Sequence, residues 1–462
     1  MTDLLHLLRR TTYGPTPALL AEVERTGPSA WLAQQLAPST VTDPVGDRLA
    51  KRFPQLQWPA WKVREVHGFD WTVMLQLRDL HTARAVWSRR QLLEVLVDVW
   101  SNALNVPNPS SDVSDVRHLY DRDVIRRHAL GRFEDLLVAA VTSPAMLRYL
   151  AADQSTGRNP NENLGRELLE LHTVGRASGF TEHDVRQSAL VLTGLTVGSK
   201  SGQTEYAPQD HWVGPVRVLG FRHPNASAER GREVAEAYLR YLARHPLTAR
   251  HVATRLAVRF VSDAPSPALV RALARTYTVS GTAVLPVLRQ LLGSREFLES
   301  GGQKVLTPFQ DLVATARVLG VSPPRGTDFG SLGWWPDVLG QPPLGWPRPD
   351  GYPDVAAAWA GAGTTLARWN AHLALAAGWD SKLVHRKPES FLPRPLPATH
   401  GELVRALGAA LLVPLAPAQV DALCGFVGKV PASRLAADDP AVTWRLASLL
   451  SLVLDTPQAA LR

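Results

Sequence analysis

Residues 161–197 read NENLGRELLELHTVGRASGFTEHDVRQSALVLTGLTV, and the fold follows from how this stretch winds. Asn161 and Glu162 have the chemistry of a helix start, leucines recur at 164, 168 and 171, and Gly175 ends the run before Thr181 opens a second, capped helix. Winding residues 162–174 at about 100° per residue puts Glu162, Asn163, Arg166, Glu167 and Glu170 within an arc of roughly 140°. Leu164, Leu168 and Leu171 face the other way, and His172 lies nearer their side. The segment combines a core-facing leucine stripe with three carboxylates and a histidine.

The helical period recurs on both sides. Residues 3–36 read as two helices around a turn at Tyr13-Gly14-Pro15, and a proline-broken connector spans 38–59. Helices are predicted over 71–80 and 83–104; in the latter Leu92, Val95, Leu96, Val99 and Ala103 share an apolar face opposite Glu94, Asp98, Ser101 and Asn102. Residues 105–115 form a loop, 121–130 and 133–141 are helices, and Ser143-Pro144 is a cap followed by a first-position proline. Periodicity fails from 198 to about 229. It resumes at 229–245, 248–261, 266–277, 284–292 and 308–320, then fails again over 322–354, which contains WWPDVLGQPPLGWPRPDGYPD. Four more helical runs cover 355–377, 401–412, 418–427 and 441–453. Almost nothing alternates with period two, so the expected fold is mainly α: a large multi-helix bundle with long irregular loops and little or no β-sheet. Three parts are expected: an N-terminal helical segment (1–60), a central core holding the candidate site (61–320), and a Pro/Trp-rich loop with a C-terminal helical subdomain (321–462).

Composition excludes several classes. With 462 residues, 45% hydrophobic and 20% charged, and a mean hydropathy of −0.09, the chain has ordinary globular values and is not disordered. The longest apolar runs, near 136–141 and 406–413, fall far short of the roughly 20 residues a bilayer requires, so no membrane span is expected. A single cysteine, Cys424, excludes an internal disulfide, and any metal would need His, Asp or Glu ligands. The N-terminus MTDLLHLLRRTTYG has an acid and two arginines inside its apolar stretch and no small-residue cleavage pattern, which makes the cytoplasm the default location. A net charge of +8 and a pI near 9.8 suggest nucleic acid, but the arginines interleave with acids, as at Arg89, Arg90 and Glu94. A solvated basic surface is the expectation, not specific nucleic-acid binding. There is no Gly-x-Ser-x-Gly elbow and no dinucleotide fingerprint after a strand.

Three polar groups are candidates for chemistry. On helix 162–174 three carboxylates repel one another unless a cation sits among them, and Arg166 is only one; a metal ion or a partner's basic group would relieve the rest. Against this, Glu162–Arg166 and Arg166–Glu170 are ordinary i,i+4 pairs and His172 is an ordinary hydrogen-bonded core residue; from spacing alone this second reading outweighs the first. Asp210-His211-Trp212 lies in the irregular segment, either as a loop histidine stacked by tryptophan or as a ligand or general base brought onto the helical body by a loop. Asp350-Gly351 with Trp335, Trp346 and Arg348 either lines a pocket or, the weightier reading, belongs to a loop pinned by its tryptophans.

Nearly end to end, the sequence resembles the bacterial domain of unknown function 1800 (DUF1800) family. The resemblance rests on HLLRRTTYGPTP from His6, WSNALNV from Trp100, IRRHALGRFEDLL from Ile125, SPAMLRYL from Ser143, NENLGRELLELHTVG followed by LTG, HWVGPVRVLGF from His211, HPLTAR from His245, KVLTPFQDLVATARVLG and GQPPLGWPRPDGYP. It implies a mainly helical protein, often encoded beside a DUF1501 protein related to sulfatase and alkaline-phosphatase folds. Such partners commonly carry twin-arginine export signals, so co-export with a partner is an alternative to the cytoplasm. Glu162, Glu167, Glu170, His172 and His211 match the family pattern. The family histidine two residues beyond the tryptophan is Ala103 here, its His-Asp pair is His211-Trp212, and a nearby lysine is Val216. The expected site therefore comprises Glu162, Glu167, Glu170, His172 and His211 as metal ligands, all but Glu162 also catalytic, with divalent iron, manganese or zinc as the cofactor class. The rival expectation is a non-catalytic subunit or chaperone of the DUF1501 protein, which the loss at position 103 favours.

Overall fold

The computed structural model describes residues 2–462. Among them 59% are helical, in 24 α-helices joined by short 3₁₀ and π segments, so the protein is mainly α. Many of its 36 prolines begin helices and do not break them: Pro17, Pro44, Pro144, Pro246, Pro267 and Pro308 each stand in a first turn. There the missing N–H would have had no intrahelical partner, and the ring already fixes a helical φ. The preceding Thr16, Asp43, Ser143, His245 and Ser266 side chains accept a first-turn N–H.

Three stretches that lack helical period nevertheless contain structure. The connector 38–59 holds the helix Pro44–Lys51, begun by Asp43, whose other carboxylate oxygen accepts from Ser88 Oγ at 2.6 Å. Residues 198–229 are spanned by two small hairpins, Leu195–Val197 against Thr204–Tyr206 and Val216–Val218 against Phe221–His223. The tryptophan-rich run contains the helix Ser331–Val338, with Pro336 inside it. Each element is too short for periodicity to register, and each is held by tertiary contacts.

Helix Gln91–Ala103 runs through the interior. Its predicted face of Leu92, Val95, Leu96, Val99 and Ala103 is buried, and so are Glu94 and Ser101 on the opposite face. Burying Glu94 is possible because Arg126 donates to both its oxygens, at 3.0 and 2.9 Å, while donating through Nε to buried Asp121 at 2.8 Å. Arg126 closes the segment Tyr120–Arg126, which is wound as a π-helix where an α-helix is predicted. One cluster of buried side chains extends from Tyr13 to Leu454, and a second, Leu8, Leu20, Val23 and Trp31, joins the first helices.

The loop 341–354 is fastened to the C-terminal end of this central helix by asparagines. Asn105 Nδ2 donates to the carbonyls of Trp346 (2.8 Å) and Arg348 (2.7 Å), and Asn102 Oδ1 accepts from Tyr352 N at 3.0 Å. Asn108 N donates to Leu344 O at 2.8 Å. Gly351, at φ +72°, lies so close that a Cβ there would fall 2.1 Å from Asn102 O. No helix of the described residues is long and apolar enough to cross a membrane.

Candidate functional site

The helix carrying the predicted carboxylates is α-helical only over Glu162–Glu167; Leu168–His172 is a π turn, not a continuation to 174. Asn161 caps its start by accepting from Asn163 N. At the other end Thr173 Oγ1 donates to Leu168 O at 2.5 Å and Gly175 N to Leu169 O at 2.9 Å, bonds of longer reach than the α pattern. His172, on the leucine side, faces inward at the end of this turn. Its ring is buried, with Nδ1 donating to Ala103 O at 3.0 Å and Nε2 unpartnered.

The five predicted residues separate into different settings. Glu162 stands 3.8 Å from Arg166, which forks onto Glu182 at 2.9 and 2.6 Å, and Glu170 is paired with Arg176. Among the described residues Glu167 has no ion-pair partner; it is half-buried, and burial followed by the charge of Glu170 raises its pKa. His211 is anchored elsewhere: Nδ1, 2.8 Å from Thr193 O, ties the hairpin segment to the end of helix Glu182–Leu192, and Nε2, 2.9 Å from Asn225 Oδ1, binds within that segment. No hydrogen bond or ion pair joins His211 to the carboxylate helix. Among the described residues no group of three or more His, Cys, Asp or Glu side chains is placed to hold a metal ion, so these five do not form one ligand shell.

A hollow does lie close by. A cavity of about 400 Å³ is bounded by helix Gln91–Ala103 (Asp98, Val99, Asn102), helix Pro246–Phe260 (His251, Thr254, Arg255, Val258, Arg259), Thr307 and Gln310, and the loop 341–354. Trp346, Arg348, Asp350 and Gly351, the third group picked out from sequence, line it. Trp335 does not; it is buried and stacked on Trp334, with ring centroids 4.5 Å apart. The charge of Asp350 acts on both Glu167 and Tyr149, which places the carboxylate helix near the cavity.

The histidines on this side are neutral at pH 7. Burial, partly offset by the Ala103 hydrogen bond, lowers His172 to about 4; burial, Arg255 and His172 lower His251 to about 4. His251 Nε2 is also buried without a partner. Asp354 is the electrostatic centre: burial alone would raise its pKa, but Arg259 (3.6 Å), Lys304 (3.1 Å) and Arg462 (3.5 Å) outweigh that and hold it down. Arg259 also faces Asp98 at 3.6 Å.

Sequence reasoning missed His251, Arg255 and Arg259, although a signal was present: spaced four apart, they form one polar stripe along the helix Pro246–Phe260. Their importance comes from the loop that lies opposite, about 100 residues later in the chain. No curated protein and no solved structure is similar enough to this chain to be matched to it. A family model described as "Protein of unknown function (DUF1800)" matches residues 6–461, and the chain belongs to that family.

Proposed function

We propose that this protein binds and acts on a small polar molecule in the cavity between helix Pro246–Phe260 and the loop 341–354. The observation that carries the reading is the cavity itself: some 400 Å³ of space in which ionisable groups of two helices face the aromatic rings of Trp346 and Tyr352 on a fastened loop. Of the titratable groups, His251 lines the cavity and is a neutral nitrogen acceptor; Glu167, half-buried and with a raised pKa, and His172 are not among its lining residues and would act through a bound molecule that extends beyond it. The test is Val258→Trp, which fills the cavity. In a thermal-shift screen of small polar compounds, those that raise the wild-type Tm should leave the filled variant unmoved; equal shifts in both, or none in either, would refute the reading.

Metal assistance by iron, manganese or zinc has one supporting feature in this reading. His172 keeps Nε2 free while Nδ1 binds a backbone carbonyl, the orientation in which imidazoles serve as metal ligands. Glu162, Glu170 and His211 are engaged elsewhere, so water or the bound molecule would complete the coordination. Metal analysis of wild type, Glu167→Gln and His172→Ala separates the cases. Stoichiometric metal lost in the His172 variant supports assistance, and equal content in all three refutes it.

A second reading, a subunit that docks a sulfatase-like DUF1501 partner, is favoured by an exposed apolar strip. Trp71, Leu75, Trp334 and Val338 stand out on two segments joined by the Arg78–Asp337 ion pair. Co-expression with a DUF1501 protein and pull-down tests it. Capture lost in Leu75→Ser/Trp334→Ser supports docking there; capture unchanged in that variant refutes it.

A further inference from the structure

The cavity's hydrogen-bonding groups are not evenly committed. Its carboxylates are all engaged: Asp98 with Arg259 and with Asn102 Nδ2 (3.1 Å), Asp354 with Arg259, Lys304 and Arg462, and Asp350 with Trp346 Nε1 (2.6 Å) and Arg348 (3.5 Å). Asn102 is used on both its amide atoms. The donors are not exhausted. Gln310 Oε1 accepts from Thr307 N at 3.3 Å and Gln341 Oε1 from Phe309 N at 2.9 Å, which leaves the NH₂ ends of both amides, and both residues line the cavity. Among the described residues Arg255 has no carboxylate within 4.0 Å and no hydrogen-bonded partner. Burial lowers its pKa, and Asp354 and Asp350 act on it only through space.

Arg10, Lys304 and Arg462 stand behind Asp354, so cations outnumber carboxylates around this wall. The Arg255 guanidinium is partly exposed at the cavity wall and has no counter-charge in contact, and a planar fork of N–H groups is matched by two coplanar oxygens. Resting on the cavity being a binding site, we infer that its ligand carries a small oxyanion, a carboxylate or a phosphate group, which pairs with Arg255 and takes further hydrogen bonds from Gln310 and Gln341. The fit is to a compact anion with a flat or ring-bearing remainder, since Trp346 and Tyr352 lie in the same wall.

The experiment uses the full chain at fixed ionic strength, with inorganic phosphate, phenyl phosphate, acetate and benzoate as probes and benzamide and phenol as uncharged controls. Calorimetric titration is run on wild type, Arg255→Lys, Arg255→Met and Val258→Trp, each first checked for native helicity. At least one oxyanion should bind wild type and weaken about 30-fold or more in Arg255→Met, with a smaller loss in Arg255→Lys. The phosphate and carboxylate probes tell the two anion classes apart. Uncharged compounds that bind wild type and Arg255→Met alike but not Val258→Trp, with no oxyanion bound, would leave the cavity reading standing and overturn the anion. Oxyanion binding equal in all four proteins would overturn both, and so would no binding by any probe.

Discussion

Away from the cavity, Arg126 is a residue whose removal should be costly. It is the direct ion-pair partner of two buried carboxylates, Glu94 and Asp121, so its loss would leave both charged groups in the interior without that guanidinium. Breaking such a pair from one side costs about 3–5 kcal/mol. Arg126→Met, close to arginine in length, is expected to lower unfolding free energy by that amount in urea titration; a loss below about 1 kcal/mol would mean that the guanidinium does not hold these charges. At this scale the sequence was partly legible. Ala103 was predicted on a buried face, and it is buried; His172 was placed near the leucines, and it lies in the core. What no spacing reveals is a partner distant in the chain. Arg126 lies 32 residues from Glu94, and the carbonyl that receives His172 is 69 residues away.

Among the elements, the pair formed by Glu162–Glu167 and Glu182–Leu192 is set by one glycine. A Cβ on Gly165 would meet Ala189 N at 2.8 Å and Val185 O at 3.0 Å, both backbone atoms of the neighbouring helix, which cannot move aside as a side chain can. Glycine inside a helix ordinarily costs about 0.5–1 kcal/mol relative to alanine. Here overpacking should reverse that sign. Gly165→Ala is expected to destabilise by about 1–3 kcal/mol, whereas Gly425→Ala, with nothing within 4 Å of its added methyl, should be neutral or slightly stabilising. A stabilised Gly165→Ala in thermal unfolding would show that the two helices can separate without penalty. Helices of ten or more residues are visible from period and caps alone, and their number and order were legible. The π turns at 120–126 and 168–172 were not, because a π turn uses the same residues as an α turn and differs only in which carbonyl each N–H reaches. Ideal winding already sets His172 on the leucine side, and with the π turn it stays there, buried and apart from the carboxylates.

Across the whole molecule, the C-terminal helices are tied to the core by a buried charge chain built on His372. Its Nε2 lies 2.9 Å from Asp311 Oδ2 on helix Pro308–Val318, and its Nδ1 lies 2.7 Å from Asp455 Oδ1 just after helix Leu446–Leu454. Arg368 Nε reaches Asp311 at 2.6 Å. Burial alone would lower the imidazole's pKa; Asp311 and Asp455 outweigh it and raise it to about 9. Asp311 is displaced the other way: burial opposes its charge, but His372 and Arg368 hold it well below the usual carboxylate range. In the unfolded chain the histidine titrates near 6.5. The folded state therefore holds the extra proton between those values, so the stabilisation from His372 is complete below about pH 6.5 and is lost as pH rises through 9. Asp311 adds a limb of opposite sense, present above about pH 4 and lost in acid. A shift of this size corresponds to about 3 kcal/mol. The measurement is urea unfolding of wild type and His372→Gln at pH 6, 8 and 10. The wild-type advantage should be greatest at pH 6 and shrink by about 3 kcal/mol by pH 10. An advantage unchanged across that range would mean that the buried imidazole is neutral in the folded protein and that the two aspartates are held by Arg368 and hydrogen bonds alone.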